Sequence, residues 1–81
     1  MLLPDKHIRM SESLLGLGSF LISTLYQPRT VDEIWFIYRK ARESGDFPAH
    51  HTFENVVLAL DVLFSINAIK LDNDGLIKKC A

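Results

Sequence analysis

The chain has 81 residues and a net charge of −1, with nine lysines and arginines against ten aspartates and glutamates. A chain of this length forms one small domain that buries only about 60% of the surface its unfolded form exposes. The near-neutral charge argues against a domain built to bind phosphate backbones, because such domains are usually basic. The apolar fraction of 48% is high for so small a core, and the surplus predicts an exposed apolar surface that binds a partner.

The cysteine count and the hydropathy predict a cytoplasmic protein without a membrane anchor. Cys80 is the single cysteine, which excludes a disulfide framework and fits a reducing compartment. The longest apolar stretch, 14–25, is interrupted by glycines and small polar residues, and it is shorter than the roughly 20 residues that span a bilayer. The start of the chain also lacks the basic region and long apolar run of a secretion signal.

Residues 1–11 form a predicted arm ahead of the first helix. Two leucines at its start are apolar, the proline after them stiffens the chain, and the polar residues that follow offer charges for specific pairing. Such an arm either docks on another protein or folds back over the helices of its own domain, where it could cover Phe36. The arm residues that we expect to contact a partner are Leu2, Leu3, Pro4, Asp5, Lys6 and His7.

The first helix is predicted over about 12–27, with Ser11 as its N-cap and Pro28 as its stop. Its apolar residues form two adjacent stripes that together cover about half of the helix circumference, which is wider than one core-facing stripe. Gly18 lies inside this sector, where glycine costs a helix about 1 kcal/mol relative to alanine. A close approach of another backbone, within the domain or from a partner, would explain it. The stripes consist of Leu14, Leu17, Leu21 and Leu25, and of Leu15, Ile22 and Tyr26.

The second helix begins at a capping box. In the segment TVDE the Thr30 side chain accepts from the backbone N–H of Glu33, and the Glu33 side chain accepts from that of Thr30. Gly45 is expected to end the helix near residue 44. Phe36 lies opposite the apolar face, among charged residues. It is either an anchor for a partner or a ring that the arm covers or that stays exposed.

Thr52 is expected to cap a third helix over about 53–67. Its apolar residues surround nearly the whole helix and leave one polar seam, formed by Glu54, Asp61 and Ser65. This pattern is typical of a helix that packs inside its domain on two sides, or inside its domain on one side and against a partner on the other.

A β-hairpin is predicted after the third helix. The short apolar segments 69–71 and 76–78 flank a turn that ends in Asp-Gly, which is strong hairpin chemistry. Three helices followed by a hairpin in so short a chain give the order of a winged helix. We therefore predict a mainly α, winged helix-turn-helix-like single domain over 12–81, with the hairpin as its wing.

The third helix lacks the chemistry of a DNA-reading helix. No lysine or arginine occurs between Arg42 and Lys70, and the four acidic residues in this span would face a polyanion. Lys70, Lys78 and Lys79 on the wing allow a weak contact with nucleic acid, reached through an assembled complex. A small winged-helix DNA-binding transcription regulator or antitoxin is the alternative function, which the fold alone does not favour.

No arrangement of residues predicts catalysis, a cofactor or a metal. His50 and His51 are adjacent in a loop, no cysteine–histidine spacing suits zinc, and the GLG segment lacks the lysine of a phosphate-binding loop. The sequence therefore predicts a non-enzymatic protein that functions by binding other proteins, with a homodimer as one form to test.

The segment LLPDKHIRMSESLLGLG, followed at helix spacing by PRTVDEIW, resembles the bacterial ABC-three-component system middle component 6 family. The combination of the P-D-K arm with S-L-L-G-L-G is the specific part of the resemblance. It implies an accessory subunit of a three-gene conflict or anti-phage defence system, in which a small protein links an SMC-like ABC ATPase to an effector of the same operon. It implies no catalytic residue.

The same resemblance extends the expected partner contacts from the arm into the first helix. We expect Leu2 and Leu3 to be buried against the ATPase or the effector, with Asp5 and Lys6 paired at the rim. Phe36 is a further candidate on the second helix. The expected contact residues of the first helix are Leu14, Leu15, Gly16, Leu17 and Gly18.

Overall fold

The computed structural model describes residues 13–80, so the predicted arm lies outside the described residues. Three helices are followed by two short antiparallel strands in a mainly α arrangement. This arrangement confirms the predicted fold class and is compatible with a winged helix. The elements are α1 Leu14–Ser23, α2 Val31–Ser44, α3 Phe53–Ser65, β1 Ile69–Leu71 and β2 Ile77–Lys79.

The α1 helix is shorter at both ends than its sequence predicts. Ser13, rather than Ser11, is the N-cap, and its hydroxyl accepts a 2.9 Å hydrogen bond from the N–H of Gly16. The helix ends at Ser23 and not near residue 27. There the Thr24 hydroxyl donates to the carbonyl of Leu21 at 2.6 Å and satisfies one of the last helical carbonyls. A prediction from apolar spacing alone overlooks such hydroxyl groups.

The caps predicted for α2 and α3 are confirmed. The N–H of Glu33 donates to Thr30 Oγ1 at 3.1 Å, and the N–H of Thr30 donates to Glu33 Oε1 at 2.8 Å. Gly45 takes a φ of 87° and ends α2. Thr52 accepts the N–H of Asn55 at 3.1 Å and begins α3. These local bonds determine where each helix starts.

The predicted hairpin forms, with its second strand at Ile77–Lys79, one residue later than the apolar segment 76–78 suggests. The Asp72 carboxylate closes its turn by accepting the N–H groups of Asp74 and Leu76 at 2.8 and 2.9 Å. Gly75 supplies the positive φ of 79°, which is the role expected of glycine in an Asp-Gly turn.

The connection between α1 and α2 pairs with the hairpin, which the sequence does not indicate. Arg29 and Ile77 exchange two backbone hydrogen bonds of 2.9 and 2.8 Å as an isolated antiparallel bridge. The Arg29 Nε atom donates to the carbonyl of Thr24 at 2.7 Å, and the residue is buried. The wing is thereby attached to the segment that precedes α2.

The core lies between the three helices and the inner side of the hairpin. Leu17 and Leu21 of α1 and Tyr38 of α2 are fully buried, and α1 packs directly on α3. One side of α1 and one side of α3 thus face this core. The other buried residues of the cluster are Leu25, Ile34, Val56, Ala59, Leu60, Leu63, Ile69 and Ile77.

Candidate functional site

An apolar groove lies between α1 and α3 at the surface of the domain. Its volume is about 170 Å³, which is room for one or two aliphatic side chains, since an apolar cavity of about 150 Å³ holds benzene. Ser19 is the one polar residue among the described residues that line it. The main apolar lining residues are Leu14, Leu15 and Ile22 of α1, Ala59 and Val62 of α3, and Ile66.

Large apolar side chains are exposed along both rims of this groove. Leu15 on α1 is 44% exposed, and Ile66, which caps the end of α3, is 65% exposed. Leu58 lies one helical turn before Val62 and is 51% exposed, so the apolar surface continues beyond the groove. Of the two arrangements predicted for α3, the structure therefore shows core packing on one side and an exposed apolar surface on another. Patches of this kind mark sites of interaction.

The close approach predicted at Gly18 is made by a side chain and not by a backbone. A Cβ atom added to Gly18 would lie 3.6 Å from the Leu63 Cδ2 atom, which is an ordinary van der Waals contact. Gly18 therefore belongs to the contact between α1 and α3 inside the domain.

The predicted contact residues of the first helix fall into two groups. Leu17 is fully buried in the domain's own core, and Gly16 and Gly18 are buried as well, with Gly18 at the base of the groove. Leu14 is half-buried and Leu15 is exposed, and both line the groove. The structure thus brings Leu14 and Leu15 to the surface. The predicted contacts of the arm, Leu2, Leu3, Pro4, Asp5, Lys6 and His7, lie outside the described residues.

A second exposed apolar surface lies on α2, where Phe36 is 60% exposed. The Nζ atom of Lys40 lies 5.4 Å from the centroid of the Phe36 ring. Tyr26 lines the same surface, and the Arg29 guanidinium lies 4.6 Å from its ring centroid. Cation–π contacts therefore hold both rings. The prediction that Tyr26 continues the apolar stripe of α1 is wrong, because the helix ends before it.

The polar seam of α3 is acidic and exposed. Glu54, Leu58 and Asp61 are spaced by four and three residues and share one side of the helix, and all three are exposed. Two carboxylates thus border the apolar surface that extends from the groove. A polyanion that approached α3 from this side would meet both charges.

Two of the wing lysines face each other. Lys70 is directly opposite Lys78 in the hairpin register, and like charges in this position repel. Lys79, opposite Ile69, is exposed near the end of β2. The structure thus places all three lysines on the hairpin, and their weak contact with nucleic acid stays a prediction.

The Tyr38 hydroxyl is a buried polar group that sequence reasoning missed. It donates to the carbonyl of Ala49 at 2.7 Å and accepts the N–H of His51 at 2.6 Å. The His51 Nδ1 atom lies 3.3 Å from the side-chain amide of Asn55. These contacts attach the loop between α2 and α3 to the core, so His51 has a structural role in the domain. An apolar spacing pattern does not reveal which tyrosine carries such bonds.

The electrostatics of the α2 N-terminus follow from its capping box. The hydrogen bond from the backbone N–H of Thr30 holds the pKa of the Glu33 carboxyl below its ordinary value, and the Thr30 hydroxyl and the charge of Arg29 act in the same direction. Glu33 is therefore ionised around neutral pH and contributes its charge to the helix start, where negative charge is favourable.

Among residues 13–80, no group of three or more histidine, cysteine, aspartate or glutamate side chains is placed to hold a metal ion. Over the same residues, no helix combines the length and the apolar character needed to cross a membrane.

Comparison with known proteins identifies the family. Searches among curated proteins and among solved structures found no match. The family model described as ABC-three component (ABC-3C) system Middle Component 6 matches residues 3–80. The match covers the arm motif that carries the resemblance in the sequence, together with the helices and the hairpin. The chain therefore belongs to the Middle Component 6 family of ABC-three component systems.

Proposed function

We propose that this chain is a non-enzymatic accessory subunit that links an SMC-like ABC ATPase to an effector protein of the same operon. The family match over residues 3–80 carries this proposal, because the family is a middle component of a system with several components. On this proposal the system serves in bacterial conflict or anti-phage defence, and the complex is assembled in the cytoplasm through protein–protein contacts.

The exposed apolar side chains support a protein-binding role. Leu15 is exposed and Leu14 is half-buried in the first turn of α1, directly after the arm. A domain of this size has little core of its own, so burial of such side chains against a partner would add to the stability of both proteins. We propose that the arm and this first turn form the contact surface, that Leu17 supports it from the core, and that Phe36 adds an anchor on α2.

In this proposal DNA is contacted only through the assembled complex, by Lys70, Lys78 and Lys79. The isolated chain should then bind DNA weakly and lose it by about 0.2 M salt. A tight and sequence-selective gel shift at that salt would favour the transcription regulator or antitoxin instead.

Co-expression of the tagged chain with the genes on either side tests the accessory role. After a pull-down at moderate salt, mass spectrometry should identify a large ABC ATPase or its effector. Recovery of the chain alone, as a dimer that persists on dilution, would contradict the accessory role and favour a homo-oligomer or a regulator.

Charge reversal tests the contribution of the arm. Asp5→Lys combined with Lys6→Asp should reduce recovery of the partner while the thermal unfolding midpoint of the isolated chain stays unchanged. Lys70→Asp combined with Asp74→Lys makes the same exchange on the hairpin and serves as the control. If the arm variant assembles as well as the control, the arm does not contact the partner.

A further inference from the structure

We infer that the α1–α3 groove binds an amphipathic helix of a partner protein, whose apolar side fills the groove and whose basic side faces the acidic seam of α3. The inference deepens the proposed function by stating the chemistry of one partner segment, and it rests on that function. It assigns the binding to the groove itself, in addition to the arm.

The apolar lining of the groove favours a helix as its occupant. Every backbone N–H and C=O group that is buried away from water requires a hydrogen-bond partner. The described lining of the groove offers one polar side chain, Ser19, and the backbone groups of α1 and α3 already bond within their own helices. Because the groove has room for only one or two side chains, the backbone of its occupant lies at the mouth, where a helix presents apolar side chains from one side while its backbone groups bond to one another.

The dimensions suit a short amphipathic helix. Leu15 and Ile22 mark two turns of α1 along the groove, a distance of about 10 Å at the helical rise of 1.5 Å per residue. A bound helix would place apolar residues at i, i+3 or i+4, and i+7 along this length. The bound partner helix would complete a small bundle with α1 and α3.

The charges around the groove predict the polar side of the partner helix. The sequence of α1, LLGLGSFLIS, has no charged residue, so this rim is neutral. On α3 the exposed Glu54 and Asp61 share one side with Leu58, next to the apolar surface. Lysine or arginine on the partner helix would be attracted to these carboxylates, and acidic residues there would be repelled.

A titration of the isotope-labelled full chain with synthetic peptides tests the inference without knowledge of the natural partner. The probe is a helical peptide with leucine at i, i+3, i+4 and i+7 and lysine at its polar positions. A peptide with the same leucines and with glutamate in place of lysine is its control. We expect the lysine peptide to shift the amide signals of Leu15, Ser19, Val62 and Ile66, and to bind more tightly than the glutamate peptide.

Variants of the groove define the binding site. Leu15→Asp and Ile66→Asp each place a charge on a groove rim and should weaken the lysine peptide about tenfold or more, because one large apolar contact is lost. Leu71→Asp, at a position 58% exposed on the hairpin, should bind like the native chain. Ser19→Arg fills the groove without removing a core residue, so it keeps the test valid if an aspartate variant unfolds.

A charge variant of α3 tests whether the basic side of the partner helix faces the acidic seam. Glu54→Lys combined with Asp61→Lys should reverse the preference, so that the glutamate peptide binds more tightly than the lysine peptide. An unchanged preference would show that the acidic seam does not face the bound helix, and it would overturn that part of the inference.

Other occupants of the groove give different results. Shifts of the groove signals on dilution of the free chain would identify a second copy as the occupant. Shifts caused by Leu2→Asp with Leu3→Asp, which persist at every concentration, would identify the chain's own arm. Either result overturns the inference. A peptide that shifts only signals outside the groove, or that does not bind, overturns it as well.

The inference and the proposed function fail in distinguishable ways. If the pull-down recovers the ATPase or the effector but neither peptide binds in the groove, the accessory role stands and the groove inference is wrong. If the lysine peptide binds in the groove but the pull-down recovers the chain alone as a dimer, the groove binds a basic amphipathic helix as inferred, and the accessory role that would supply this helix is wrong.

Discussion

The surroundings of Tyr38 and the α1–α3 groove are two regions of one small domain that treat large side chains in opposite ways. Tyr38 is fully buried, and its hydroxyl makes two hydrogen bonds to the loop between α2 and α3. At the groove, Leu15 and Ile66 are 44% and 65% exposed, and Ser19 supplies the one hydroxyl among the described lining residues. The first region is complete within the domain, whereas the second leaves apolar surface in water, which favours burial against another molecule.

Two leucines on α1 offer the largest contrast between these regions. Leu17→Ala should lower the free energy of unfolding by about 2–5 kcal/mol, because it opens a cavity in the core. Leu15→Ala, two residues away, should change it by about 0.5 kcal/mol, as expected at a surface position, but should reduce partner recovery. Chemical denaturation measures the free energy of unfolding of both variants. Equal losses of stability would show that Leu15 belongs to the core and that the comparison is wrong.

The hydroxyl of Tyr38 provides a second contrast. Tyr38→Phe should cost about 1–3 kcal/mol, because the carbonyl of Ala49 and the N–H of His51 lose their buried partner. Tyr26→Phe removes the same hydroxyl from an exposed ring and should be nearly neutral, within about 0.5 kcal/mol. Denaturation curves of both variants test this, and a neutral Tyr38→Phe would mean that the hydroxyl does not hold the loop.

Gly18 and Gly45 should respond to alanine with opposite signs. Gly18→Ala fits at ordinary contact distance beside Leu63 and should stabilise the domain by up to about 1 kcal/mol through helix propensity. Gly45→Ala should destabilise it by roughly 1 kcal/mol, because its positive φ is strained for alanine. A shift of the thermal midpoint in the same direction for both variants would contradict this account of the two glycines.

The smallest expected effect is a dependence on acid at the start of α2. Because the pKa of Glu33 is lowered in the folded chain, its contribution to stability is present above the unfolded pKa and is lost as the pH falls through the folded value. Glu33→Gln keeps a capping-box side chain and should reduce this acid-side loss. Glu43→Gln removes the same charge far from the cap, and it should leave the pH dependence of unfolding as in the native chain.

The local features of the fold could be predicted because each depends on residues close in sequence. The capping box of Thr30 and Glu33, the stop at Gly45 and the turn at Gly75 are all determined within four residues. The Arg29–Ile77 bridge joins distant parts of the chain, and no local pattern indicates it. The early end of α1 is not predicted, because the apolar spacing continues to Tyr26 whereas the helix ends at Ser23.

The candidate site was predicted less completely than the fold. The surplus of apolar residues on α1 and α3 indicated an exposed apolar surface, and the structure places this surface at Leu15, Leu58 and Ile66. The sequence could not separate Leu17, which faces the core, from Leu15, which faces the groove, because both belong to one wide apolar sector. That division depends on where α3 packs against α1, which is a property of the tertiary structure.

Parallel co-purification of two aspartate variants tests most directly whether the groove is the interacting region. Ile66→Asp and Leu71→Asp each replace a large side chain of similar exposure, 65% and 58%, one at the groove and one on the hairpin. With both variants folded, Ile66→Asp should lose the ATPase or effector that Leu71→Asp retains. Equal recovery of that partner by the two variants would contradict the role of the groove.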